Sequence, residues 1–106
     1  MTEQASQLTQ ALIKQVEQLS SLAVLLEKEL QLISSRDAES LMNLLDEKTA
    51  LLTSIQALDG SIERTISNQG SMSEEDEALM ANAKKLLDDC KYRTQVNQKA
   101  VEQGQL

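Results

Sequence analysis

The sequence has no histidine, no proline, no phenylalanine and no tryptophan. It has one cysteine, Cys90, one tyrosine, Tyr92, and three glycines in 106 residues. Without histidine there is no His-based triad, no zinc site with imidazole ligands and no Glu-x-x-His di-iron motif. A single cysteine forms neither an internal disulfide nor a thiolate cluster, and it is compatible with a reducing compartment. No glycine-rich loop precedes a helix in a phosphate-binding arrangement. The opening "MTEQASQLTQ" lacks the basic and then apolar pattern of a secretory signal. The longest unbroken apolar run, Leu22 to Leu26, is far too short to span a bilayer. Paired carboxylates such as Glu27 and Glu29 lie two apart, so on a helix they face different ways. No enzyme, metal site or cofactor is expected.

Positive charge is also scarce. The net charge is −7 and the pI about 4.5. Nucleic acid is disfavoured as a partner, because phosphates are bound by clustered Lys and Arg. Anionic membrane surfaces are disfavoured for the same reason, and no membrane insertion is expected.

What is present is a helix-forming composition of Ala, Leu, Gln, Glu, Lys and Ser. Strand-favouring aromatic and β-branched residues are scarce. The core must be aliphatic, each buried anchor contributing about 1.5–3 kcal/mol. Apolar residues recur in steps of three and four through Ala5, Leu8, Leu12, Val16, Leu19, Ala23, Leu26, Leu30 and Ile33, predicting one helix over 4–33. Leu22 and Leu25 flank that stripe. The polar cluster "SSRD" at 34–37 predicts a turn with Asp37 as the next N-cap. With no Gly or Pro there, a kinked continuous helix is the alternative.

A second helix is predicted over 38–67. Its seam is Leu41, Leu44, Lys48, Leu51, Ile55, Leu58, Ile62 and Thr65, broadened by Leu45, Leu52 and Ile66. Lys48 interrupts this seam. It either packs its stem and snorkels its ammonium outward, the reading the pattern favours, or sets register by pairing with a carboxylate of the first helix such as Glu27. Gly70 suits a helix C′ position, and "SEED" at 73–76 is a capping-box pattern. A third helix is predicted over 74–102, its acidic first turn explained by the helix dipole. The expected fold is all-α: a long antiparallel helical hairpin plus a third helix, a coiled-coil-like three-helix bundle in one domain, 1–106.

The third helix changes character at "DDCKYRTQVNQ". Leu79, Ala83, Leu86 and Cys90 make its stripe, with Met80 and Leu87 alongside. After Cys90 the same spacing meets Arg93 or Thr94, then Asn97, then Ala100 or Val101. Cys90 is expected in the core, because Asp88 and Asp89 oppose a thiolate and nothing supplies a base. A helical module without catalytic groups acts by offering a groove or face to another helix.

Two segments carry a family likeness. "LAVLLEKELQLISSRDAESLMNLLDEKTALLTSIQALD" has an acidic end to one helix, a short Arg-Asp turn and a Lys followed by "ALL". "LLDDCKYRTQVNQ" has two leucines, a cysteine and a Gln-Val-Asn. Together they resemble the FlgN family, bacterial cytoplasmic chaperones of flagellar type III export. The resemblance implies a helical chaperone that binds terminal segments of hook-associated proteins, prevents their premature assembly and aids delivery to the export apparatus. It also implies that export apparatus components are partners. Family members usually continue as a longer amphipathic helix after the Gln-Val-Asn stretch, whereas this chain ends at Leu106, so part of that surface is expected to be missing. Leu86, Leu87, Tyr92, Val96, Asn97 and Val101 are the candidate client contacts. The alternatives are a self-associating coiled-coil scaffold and a secretion chaperone for another client.

Overall fold

The computed structural model describes residues 6–104. Three helices account for nearly all of them: α1 (Gln7–Ser34), α2 (Ala38–Gln69) and α3 (Glu74–Glu102). Gln4 and Ala5, which the periodicity assigned to the first helix, lie outside the described residues. The helices pack side by side as an all-α three-helix bundle of 54 × 21 × 21 Å.

Each helix begins on a side chain that accepts a backbone N–H. Ser6 accepts from Thr9, Asp37 from Ser40 and Ser73 from Asp76. Each acceptor satisfies one of the donors that the first turn leaves unpaired. The "SSRD" segment is a turn and not a kink. The Asp37 N–H bonds to the Leu32 carbonyl and the Arg36 N–H to the Ile33 carbonyl. This pair is the Schellman closure, and it places Arg36 at φ 60, where glycine is usual. The next break follows the glycine rule, with Gly70 at φ 85 closing α2.

Hydrogen bonds fix the topology. Cys90 and Asn97 of α3 reach the carbonyls of Leu19 and Leu26, both 71 positions away, so α1 and α3 run parallel. Gln15 bonds Asp59 and Gln18 bonds Ser54, so α2 runs antiparallel to α1. Both outer helices pack on α1, and no Cα of α2 comes within 8 Å of one in α3. α2 and α3 therefore keep their backbones apart and share apolar clusters over α1, Ile62 with Leu79 in one and Leu51 and Ile55 with Cys90 in the other.

That central position explains a difference in α1. Leu22, Leu25 and Gln15 are buried together with Leu8, Leu12, Leu19, Leu26 and Ile33. A helix flanked by two neighbours buries a broader face than one stripe. Two apolar clusters result. Leu8, Leu12 and Ile62 form one, with Leu58, Met72 and Leu79 against them. Leu22, Leu26 and Cys90 form the other, with Leu51 and Ile55.

α3 meets α1 along Asp76, Ala83, Cys90 and Asn97, its four buried residues, spaced by sevens. A strict seven-residue repeat keeps one face on a neighbouring helix. Three of these four reach α1 with polar atoms: Asp76 to Thr9, Cys90 to the Leu19 carbonyl and Asn97 to the Leu26 carbonyl.

Candidate functional site

The C-terminal half of α3 is where the apolar stripe thins, and its placement is set by a polar clasp. Glu29 of α1 lies between the two outer helices. One carboxylate oxygen accepts from the Asn97 side-chain amide at 2.7 Å, the other from the Lys48 ammonium at 2.9 Å. Asn97 also donates to the Leu26 carbonyl at 2.9 Å. A single carboxylate thus ties α2 and α3 to α1 at one level. Lys48 is half-buried and paired with Glu29, so the snorkelling reading that the pattern favoured gives way to the paired one, with Glu29 in place of Glu27 as partner. Glu27 faces the other way and approaches Arg93 at 3.6 Å.

Arg93 is held mainly by Asp89, with Nε to Oδ2 at 2.8 Å. That hydrogen bond and the adjoining negative charge raise the guanidinium's pKa above its ordinary value. Cys90 is buried. Desolvation, with the charge of Asp89, raises its thiol, and Arg93 opposes this only in part. A buried neutral thiol is a packing group and not a nucleophile.

The six residues singled out from the sequence do not form one face. Asn97 is only 5% exposed, and its amide is committed to Leu26 and Glu29. It is a positioning residue inside the bundle, because the heptad from Asp76 continues through it. Tyr92 and Val96 lie to one side, where they line a shallow groove of about 240 Å³ with Leu26, Leu30 and Arg93. Val101 lies to the other side, in an open groove of about 380 Å³ with Ile33, Lys48, Thr94 and Gln98. Leu87 is one heptad before Thr94 and is partly exposed. Leu86 is half-buried. Tyr92 is 65% exposed.

Sequence reasoning did not place α2 in the site. Leu45 and Leu52 were expected to broaden the packed seam, yet they are 57% and 38% exposed. Met42 is exposed as well. The sequence shows the width of this seam but not how much of it a neighbouring helix covers.

Among the described residues no group of three or more His, Cys, Asp or Glu is placed to hold a metal ion. No helix among them is long and apolar enough to cross a membrane. The geometry offers apolar side chains on a rigid helical frame. The family model for the FlgN protein matches residues 1–106.

The chain belongs to the FlgN family.

That family supplies chaperones of flagellar assembly and export, whose partners are flagellar proteins. The Arg-Asp turn and the Gln-Val-Asn stretch that resembled it are both structural in this FlgN chain. Arg36 and Asp37 close α1 and cap α2, and Asn97 completes the clasp. No curated protein and no solved structure matches the chain.

Proposed function

We propose that this FlgN chain binds helical terminal segments of hook-associated proteins in the cytoplasm. It keeps them from assembling early and delivers them to the export apparatus. The observation that carries this reading is the accessible apolar surface along α3 from Leu86 to Val101. Leu87, Tyr92 and Val101 stay exposed, and Leu86 and Val96 partly so, around a clasp that fixes the helix. Segments that pair only in an assembled filament expose apolar stripes beforehand and aggregate. A groove between helices covers such a stripe without nucleotide or covalent chemistry. The client orders as it binds, which lowers net affinity and favours handover.

Calorimetry with the terminal segment of a hook-associated protein tests this. The segment is expected to bind, and the same segment with its apolar stripe changed to serine is not. Equal binding of both, or of neither, would overturn the reading. Replacing Tyr92 and Val96 by Ala, against Leu87 and Val101 by Ala, shows which side of Asn97 makes the contact.

A further inference from the structure

The exposed apolar side chains are not scattered. Six of the nine large ones among the described residues are Met42, Leu45, Leu52, Met80, Leu87 and Val101. All six lie along the groove between α2 and α3. Thr94, Gln98 and Val101 line it from α3 and Lys48 from α2. Leu87 and Met80 stand one and two heptads before Thr94, on the same side of the helix. Leu45 and Leu52 stand three residues before and four after Lys48, on the flank of α2 away from Leu44 and Glu47. Met42 stands one turn before Leu45.

The two walls of this groove differ in charge. Asp59 stands one heptad after Leu52 and Glu63 one turn further on, so the α2 wall is acidic there. Lys91 and Lys84 stand one and two heptads before Gln98, so the α3 wall is basic. The helices are antiparallel, and the closeness of Lys48 to Asn97 and of Ile62 to Leu79 fixes which levels match. Asp59 and Glu63 are level with the stretch 78–86, which holds Lys84. Lys84 meets only Asp88 of its own helix, at 3.8 Å, and Glu63 and Lys91 have no ionic partner among the described residues. Asp59 accepts from Gln15, and Lys48 and Glu29 on the floor satisfy each other. Glu102 lines the groove at its Val101 end. Glu77 and Asp88 stand further round α3, Asp46 and Arg64 further round α2.

A groove with one acidic wall and one basic wall is complementary to itself. A twofold axis along the helices keeps every level and exchanges the walls. Each α2 then faces the α3 of the other copy, antiparallel to it. Asp59 and Glu63 meet the second copy's basic wall at the level of its Lys84, and the apolar side chains of both copies close into the core of a four-helix arrangement.

We propose that this groove is an isologous dimer interface whose occupant is a second copy of the chain. The face is about 32 Å long from Met80 to Val101 and two helices, about 20 Å, wide. That is about 1,300 Å² over both copies, at the low end for a specific complex. The dimer therefore dissociates reversibly on dilution. The proposal does not depend on the chaperone reading.

Analytical ultracentrifugation of the full chain tests it and is expected to show a monomer–dimer equilibrium. Leu52→Asp with Leu87→Asp is expected to raise the dissociation constant at least about tenfold. Leu45→Asp with Val101→Asp does the same and serves if the first pair loses its helical circular dichroism. Glu63→Lys alone and Lys84→Glu alone are each expected to weaken the dimer about three- to tenfold at low salt. Mixing those two variants restores it, because the mixed dimer again carries opposite charges at both contacts. Such a rescue distinguishes a contact between copies from one within a chain. A wild-type chain that stays monomeric at about 1 mM overturns the proposal. So does a dimer that both apolar pairs leave intact, since it then lies on another face. A dimer that the apolar variants dissolve but that mixing does not rescue overturns the twofold arrangement. A monomer whose groove variants lose a hook-associated protein's terminal segment makes the client the occupant; the dimer then falls and the chaperone reading stands.

Discussion

At Arg36 and Gly70 the same backbone demand is met by different residues. Both close a helix with positive φ, at 60 and 85. A side chain there crowds the following carbonyl and costs roughly 1–2 kcal/mol, which glycine avoids. Arg36→Gly is expected to stabilise the protein by about 0.5–1 kcal/mol, the gain reduced by glycine's extra freedom in the unfolded chain. Gly70→Ala is expected to destabilise by about 1 kcal/mol, although nothing lies within 4 Å of the added methyl. Urea denaturation measures both. Arg36 is also why the first turn was harder to read than the second: its geometry demands glycine and its sequence supplies none. Cys90 was legible as a core residue because it sits on the leucine spacing. Its raised pKa means the thiolate is disfavoured in the fold. Stability from this group is fully present below the ordinary thiol pKa and lost as pH rises through the folded value. Iodoacetamide is expected to leave Cys90 unmodified in the native protein and to label it once urea unfolds the chain. Labelling at the same rate in both states would contradict its burial. Asp37 has the opposite sign. The Ser40 hydrogen bonds hold its carboxyl below the usual carboxylate range, so its support of α2 is present above that range and lost as pH falls through the depressed value.

Among the elements, α1 and α2 were expected to pair as a long antiparallel hairpin. They are unequal partners, since α1 buries Leu8, Leu12, Leu19, Leu22, Leu25, Leu26 and Ile33 while α2 buries only Leu44 and Ile62 among its apolar residues. Periodicity reports that a helix has an apolar face, not how many neighbours cover it. That is why Leu45 and Leu52 read as core and stand at a groove. The clasp was half legible. The seam pattern favoured a snorkelling Lys48 over a paired one, and choosing Glu29 over Glu27 also requires the rotation of α1 about its axis. Asn97 was read as a client contact and not as packing, because an asparagine at a heptad position looks like a fading stripe until its carbonyl and carboxylate partners are in place. Lys48→Met leaves Glu29 with Asn97 as its remaining clasp partner and is expected to cost about 1–2 kcal/mol. Lys48→Met combined with Glu29→Gln is expected to recover most of that loss, because the charge needing a partner is gone. A double-mutant cycle by chemical denaturation measures the coupling. Additive losses would show that the pair does not act as a unit.

Across the whole molecule, stability is distributed by who touches α1. Hydrogen exchange is expected to be slowest in α1, intermediate in α3 and fastest in α2, most of all around Met42 and Leu45, where buried neighbours are fewest. The overall fold was readable from the composition and two polar breaks, since long aliphatic helices without proline have few ways to pack. The gap between α2 and α3 was not, because it depends on which pairs of helices meet. Parallel α1 and α3 also decide how the chain responds to force. α1 and α3 run from the Gln7 pole to the Gln103 pole of a body 54 Å long, and α2 runs back the other way. A pull between those two ends runs along the helix axes and shears every buried layer at once. A pull between Arg36 and Gln103, which share one pole, unzips the helices layer by layer, starting at the Lys48–Glu29–Asn97 level. The pole that carries the clasp is the one from which this protein is mechanically easiest to open.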